Sequence, residues 1–229
     1  MNVDRSHPIT RVLAVDVCGT LFDTNTSAGL VRHHHYRTGN VGRSFLLTLI
    51  TGRGQPLGAA CILFSKITGF DLHRAITLAT LQGQCFAELE ASAQSFLEVL
   101  AKHRIDEVHE RIKQMQNDGW SPVLVSNSVA LIVKPIAAAL GVPFVSSQLG
   151  WADGLCTGRL KVDLTGKKRA HLENFLGHSV SLGEFSVITD NKSDADLIDC
   201  SEVTILVSVG VPRKWMMNRN AEILYIKQK

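Results

Sequence analysis

Three segments of the chain are apolar without alternation and end in small polar or acidic residues: 12–16, 122–127 and 185–190. Runs of this kind read as strands buried on both faces, which is the signature of a parallel sheet. Between the first two the periodicity is helical. Asp71 is placed to cap a helix running to about residue 84. Leu89, Ala93, Phe96, Leu97 and Leu100 share one face, and Ile105, Val108, Ile112 and Met115 continue at the same spacing until Gly119. From residue 122 strands and helices alternate: strand 122–126, helix 128–140 closed by Gly141, and strand 143–146. A Gly-containing turn region at 150–161 precedes helix 167–176, strand 184–190, helix 193–199 and strand 203–208, with a last strand at 222–226. Repeated βα units predict an α/β fold, a Rossmann-like doubly wound parallel sheet. The roughly 95 residues after the first strand exceed an ordinary connection and predict an inserted all-helical cap. The expected division is a core of 1–23 and 117–229 with a cap of 24–116.

Composition narrows the field. The 229 residues are 45% hydrophobic and 20% charged, ordinary for a globular chain, and the net charge is only +3. Lys167-Lys-Arg169 is too short a basic run to suggest nucleic-acid binding. Five cysteines without CxxC or metal-ligand spacing fit reduced thiols, and hence a cytoplasmic location. Residues 1–11 lack a signal-peptide apolar stretch. The apolar runs at 45–50 and 57–64 fall far short of the roughly 18 residues needed to span a bilayer. A soluble chain without stable membrane insertion is expected.

The strand ends carry the candidate chemistry. Asp16 follows Val12-Leu-Ala-Val15, and Asp190 follows Phe185-Ser-Val-Ile-Thr189, with Asp194 four residues on. Neighbouring parallel strands would bring these carboxylates to one edge, where a divalent cation relieves their repulsion. Mg²⁺ suits such an oxygen-rich site. Ser126 and Asn127 end another apolar strand, where a hydroxyl and helix-start N–H groups could hold a phosphate oxygen. Lys168 opens a helix after Gly166 and could neutralise a transferring phosphoryl group.

The order Asp16, Ser126, Lys168, Asp190, each in its local context, resembles the four motifs of the haloacid dehalogenase (HAD) superfamily. Gly119-Trp-Ser-Pro-Val-Leu-Val-Ser-Asn-Ser128, Ile136-Ala-Ala-Ala-Leu-Gly-Val142 and Asp153-Gly-Leu-Cys-Thr-Gly-Arg-Leu160 are similar to its phosphoserine-phosphatase-like branch. The resemblance implies a Mg²⁺-dependent phosphatase acting on a small phosphorylated substrate. Asp16 would be the nucleophile, forming an aspartyl-phosphate. Metal would be held by Asp16, Asp190 and the carbonyl at Cys18, with Asp194 joining the metal site or orienting lysine or metal-bound water. Thr20 would support the turn by the phosphate, which Ser126 and Asn127 would contact. Lys168 would pair with Asp16 and the phosphate; Lys167 stays possible.

Cys18 stands where the branch places its acid/base aspartate. A thiol is a poor substitute, so three readings stay open: a slow phosphatase, a proton supplied by the cap or the substrate, or a reaction that needs no strong acid, with a good leaving group or as a phosphotransferase passing the phosphoryl group to another acceptor. A non-catalytic protein binding a phosphorylated ligand is the competing class. The glutamate that reads the substrate amine in phosphoserine phosphatases is replaced by Asn25, which disfavours phosphoserine. In the cap, Arg32, His33, His34, His35, Arg37, Arg43 and Arg53 read as a solvated positive face rather than a metal site. Gly52-Arg-Gly-Gln-Pro-Leu-Gly58 reads as a turn.

Overall fold

The computed structural model describes residues 11–51, 67–68, 71–180 and 184–227. The Gly52–Gly58 segment, the apolar run at 57–64 and the first ten residues lie outside them. The elements in chain order are β1 (Val12–Val15), α1 (Thr26–Arg37), α2 (Val41–Thr51), α3 (Leu72–Ala79), α4 (Phe86–Ala101) and α5 (Asp106–Asn117). There follow β2 (Ser121–Val129), α6 (Ala130–Leu140), β3 (Phe144–Ala152), β4 (Leu155–Val162) and α7 (Lys168–Leu176). The chain continues with β5 (Phe185–Thr189), a 3₁₀ turn (Lys192–Asp194), α8 (Ala195–Ile198), β6 (Val203–Val209), α9 (Lys214–Met217) and β7 (Glu222–Ile226).

The seven strands form one sheet in the order β4-β3-β2-β1-β5-β6-β7. Every neighbouring pair is parallel except β3–β4. β1 lies at the centre, with β2 on one side and β5 on the other, so the winding reverses at β1 and opens a crevice beyond its carboxyl end. Alternation along β1 feeds both faces of the sheet. Leu13 and Val15 join the core built with α1, α4, α5 and α6, while Val12 and Ala14 join Leu172 and Leu197 on the other side.

The 150–161 region is a hairpin, not the turn region that its glycines suggested. β3 and β4 pair antiparallel at the sheet edge and reverse at Asp153 and Gly154, both at positive φ (51° and 77°). Asp-Gly is the favoured pair for a two-residue hairpin turn, and this signal outweighed the scattered glycines. The helix at Asp71 ends at Ala79, shorter than its periodicity predicted. It is capped as expected, with Arg74 N donating to Asp71 Oδ1 at 2.9 Å. Its far end seats on β4, where Gly158 lets it come close: a Cβ there would lie 3.0 Å from the Ala79 backbone. The helices between β1 and β2 pack on one another, α1 against α3 and α4, while α5 lies on β2 and β7 and ties down with Arg111–Glu222 at 2.6 Å.

The three consecutive histidines do not form a solvated face. His34 and His35 are fully buried on α1. His33 bonds Ser95, His34 bonds both Ser92 and Gln84, and His35 bonds Thr80, all at 2.7–3.0 Å. They knit α1 to α4 and to the turns that follow α3. Burial, reinforced by His34 and Arg43, pushes His35 down to about 4. Burial with Arg104 does the same to His109 on α5, also to about 4. Both are therefore folded as neutral imidazoles, whereas the unfolded chain protonates them near 6.5. Their contribution is fully present above about pH 6.5 and is lost as pH falls toward 4. Unfolding free energies from urea titrations should accordingly drop between pH 7.5 and 5, on the order of 1–3 kcal/mol per histidine, lowering the midpoints. Equal midpoints at the two pH values would contradict this.

Candidate active site

Register places the site. Val15 pairs with Leu124 on β2 and with Ile188 on β5, so the residues just past these strands meet at one edge. Asp16 arrives there from β1 and Asp190 from β5. Lys168, in the first turn of α7, is fully buried, and its Nζ donates to Asp16 Oδ1 and Asp194 Oδ2, each at 2.7 Å. Lys167 beside it is exposed. The Asp194 Oδ2 also accepts from Thr189 Oγ1 at 2.7 Å. Burial alone would lower the Lys168 pKa, but the two carboxylates outweigh it and hold the ammonium charged. Burial pushes the Asp16 carboxyl up against the pull of that lysine. A buried set of this kind depends most on its shared cation, because removing the lysine leaves two carboxylates uncompensated.

Asp190 faces the same crevice. Its carboxyl is raised to about 7, first by burial and then by the nearby Asp16. Thr20 is turned away from the crevice and onto Asp190: its Oγ1 accepts from Asp190 N at 3.0 Å and lies 3.4 Å from Asp190 Oδ1. Gly19, at φ +78°, sits directly against this carboxylate, and a Cβ there would fall 2.5–2.7 Å from its atoms. Arg213, on the loop before α9, donates to the Asp190 carbonyl at 3.2 Å and lies 3.6 Å from its carboxylate.

Opposite, β2 breaks register between Ser126 and Val129, turning Asn127 and Ser128 toward the crevice. Ser126 Oγ accepts from Ser128 N at 3.1 Å. The start of α1 supports this loop through Thr26–Ser128 (2.6 Å) and through Val129 N to Ser27 Oγ (3.1 Å). The buried Asn127 Oδ1 has no partner among the described residues. Arg74 of α3 reaches across, donating to the Asn127 carbonyl, to Asp163 at 2.8 Å and to Thr165 at 3.1 Å. Cys18 is half-turned from the site. Its Sγ donates to the Thr24 carbonyl at 3.3 Å, and burial then Asp16 push the thiol up to about 12.

These residues enclose a cavity of about 610 Å³, lined by Asp16, Cys18, Asp190, Ser126 and Asn127 from the sheet side. Lys168 and Asp194 lie behind that wall. Residues 71–78 supply the opposite wall, through Asp71, His73, Arg74, Thr77 and Leu78. His73, Arg74 and Arg213 carry no sequence signal, since each sits in an unremarkable helix start or loop. Thr189 is equally silent.

A family model for haloacid dehalogenase-like hydrolases matches residues 13–199. The chain belongs to the haloacid dehalogenase-like hydrolase family. Its fold is similar to that of a protein with unknown function from Bordetella pertussis Tohama I, with a TM-score of 0.68 at 18% identity over 93% of this chain and 97% of that one. A phosphoserine phosphatase solved as a phospho-aspartyl intermediate analogue gives 0.63 at 16%, covering 96% and 94%. A cytosolic 5′-nucleotidase IIIB bound to cytidine gives 0.57 at 15%, covering 94% and 80%. No curated protein matches the chain.

Within this HAD-like hydrolase the donor set decides which cation could fit. Among the described residues no group of three or more His, Cys, Asp or Glu side chains is arranged around a metal position. Asp194 is committed to Lys168 and Thr189. Asp16 and Asp190 both face the cavity, with Gly19 packed against the Asp190 carboxylate. That is a fit for a hard cation that keeps several waters, and not for a soft or fully protein-caged one. No helix of the described residues is long and apolar enough to cross a membrane.

Proposed function

We propose that this chain is a Mg²⁺-dependent phosphomonoesterase that hydrolyses a small phosphorylated metabolite through an aspartyl-phosphate on Asp16. The observation that carries the reading is the buried Lys168, held at 2.7 Å from both Asp16 and Asp194 at the wall of a cavity that Asp190 also faces. Asp16 and Asp190, with the main-chain carbonyl at Cys18, would hold the cation. When bound, it supplies charge that offsets the two carboxylates and the phosphoryl oxygens. Asp16 attacks phosphorus and the bond to the leaving oxygen breaks. Lys168 fixes the attacking carboxylate and balances its charge, and Asp194 keeps the ammonium in place. Ser126, Asn127 and neighbouring N–H groups steady the phosphoryl oxygens. Residues 24–116 would serve as the cap, with α3, which lines the cavity through His73, Arg74, Thr77 and Leu78, choosing the substrate.

A second reading, a protein that binds a phosphorylated ligand without turning it over, draws on Cys18. A thiol that donates to Thr24 and stays protonated to about 12 is a poor acid and no base. Turnover of an aryl phosphate with Mg²⁺, and its loss in EDTA, tests the phosphatase reading. Cys18→Asp supplies a carboxyl at this place and should raise turnover of an alkyl phosphate, whose leaving oxygen needs a proton, while leaving aryl-phosphate turnover within about tenfold. Phosphate binding with no turnover in either protein would instead establish the binding role.

A further inference from the structure

Hydrolysis of an unactivated phosphate ester needs a proton for the leaving oxygen, and most groups around this cavity cannot give one. Lys168 is locked between two carboxylates. The Cys18 thiol already donates to the Thr24 carbonyl. Arg74 and Arg213 do not release protons at any working pH. Asp190 is paired with Thr20 and Arg213, and Asp71 Oδ1 caps α3. Asp23 lines the rim, exposed to bulk water.

His73 remains. It lines the cavity wall opposite Asp16, is only part-buried, and its ring makes no hydrogen bond among the described residues. It is also well anchored. The next residue, Arg74, is tied to Asp163, Thr165 and the Asn127 carbonyl, and the end of α3 seats against Gly158. A helix fixed at both ends holds its free imidazole in the wall of the cavity that Asp16 also lines. Histidine is the side chain that exchanges protons nearest neutral pH.

We infer that His73, carried on the cap helix over the cavity, is the general acid and base of this enzyme, in the place that Cys18 does not fill. The inference rests on the phosphatase reading above. As Asp16 attacks, the phosphorus–oxygen bond of the ester breaks and its electron pair passes to the leaving oxygen. The imidazolium gives that oxygen its proton, releasing an alcohol. The neutral imidazole then takes a proton from the water that attacks the aspartyl-phosphate, releasing inorganic phosphate and restoring both groups. The charged groups that line the cavity with it are Asp71 and Arg74 beside it and Asp23, Asp16, Asp190 and Arg213.

The test compares kcat/KM for an aryl phosphate, whose leaving group needs little help, with that for an alkyl phosphate. His73→Asn should cost the alkyl substrate about 10²–10⁴-fold and the aryl substrate less than tenfold. The fall of wild-type alkyl kcat/KM on the alkaline side should vanish in the variant. Adding Cys18→Asp to His73→Asn should restore alkyl turnover at least tenfold, which a misfolded protein could not show. Equal losses on both substrates would make His73 a binding residue and overturn the inference, as would no loss on either. If wild type turns over neither substrate, the phosphatase reading fails and takes this one with it. If wild type is active and Asp16→Asn is dead but His73→Asn is not impaired, only this inference fails.

Discussion

Asp16→Asn removes turnover by about 10⁴-fold or more, the scale expected when a covalent nucleophile is lost. The substitution conserves shape, so the effect isolates chemistry from packing. An amide cannot attack phosphorus, and it would offer one fewer negative charge to the cation proposed between Asp16 and Asp190. The fold should survive, because Lys168 keeps its second partner, Asp194, at 2.7 Å. Circular dichroism and a urea midpoint near wild type would establish that the loss is catalytic. Retention of more than about a hundredth of wild-type turnover, outside the range for nucleophile loss, would refute Asp16 as nucleophile.

Lys168→Met should be the most damaging single change to stability. It leaves Asp16 and Asp194, both fully or almost fully buried, without their shared cation. Breaking a buried pair by removing one partner costs about 3–5 kcal/mol, and here one ammonium serves two carboxylates. Activity should fall with it, since the attacking carboxylate loses both its orientation and its counter-charge. The natural control is Lys167→Met: that lysine is exposed, and a surface change of this kind is usually within about 0.5 kcal/mol. Equal urea midpoints for the two variants would show that the lysine at 168 is not the buried partner in solution.

Much of the core was legible before any coordinates. The runs at 12–15 and 185–189 are strands, and the last strand at 222–226 has the bounds its pattern predicted. The edge hairpin was not legible in the same way. Its strands carry Gly150 and Gly158 and alternate in burial, so an edge element looked like a loop. The histidines of α1 misled in the opposite sense. A polar run reads as solvated, yet His34 and His35 are buried against later segments, where Ser92, Gln84 and Thr80 engage three of their four ring nitrogens. Partners of that kind leave no local trace.

The apolar periodicity determined the α/β class and the acid-ended strands, and resemblance to the HAD motifs joined Asp16, Ser126, Lys168 and Asp190; the central position of β1 came only with the sheet order. Local pattern can do this because strand and helix periods are properties of neighbouring residues. Only the tertiary structure decided between Lys167 and Lys168, committed Asp194 to the lysine, turned Thr20 onto Asp190, and brought His73, Arg74 and Arg213 to the cavity. The Lys168–Asp16 pair closes across 152 residues, and such contacts are set by how the sheet and its helices pack around one another.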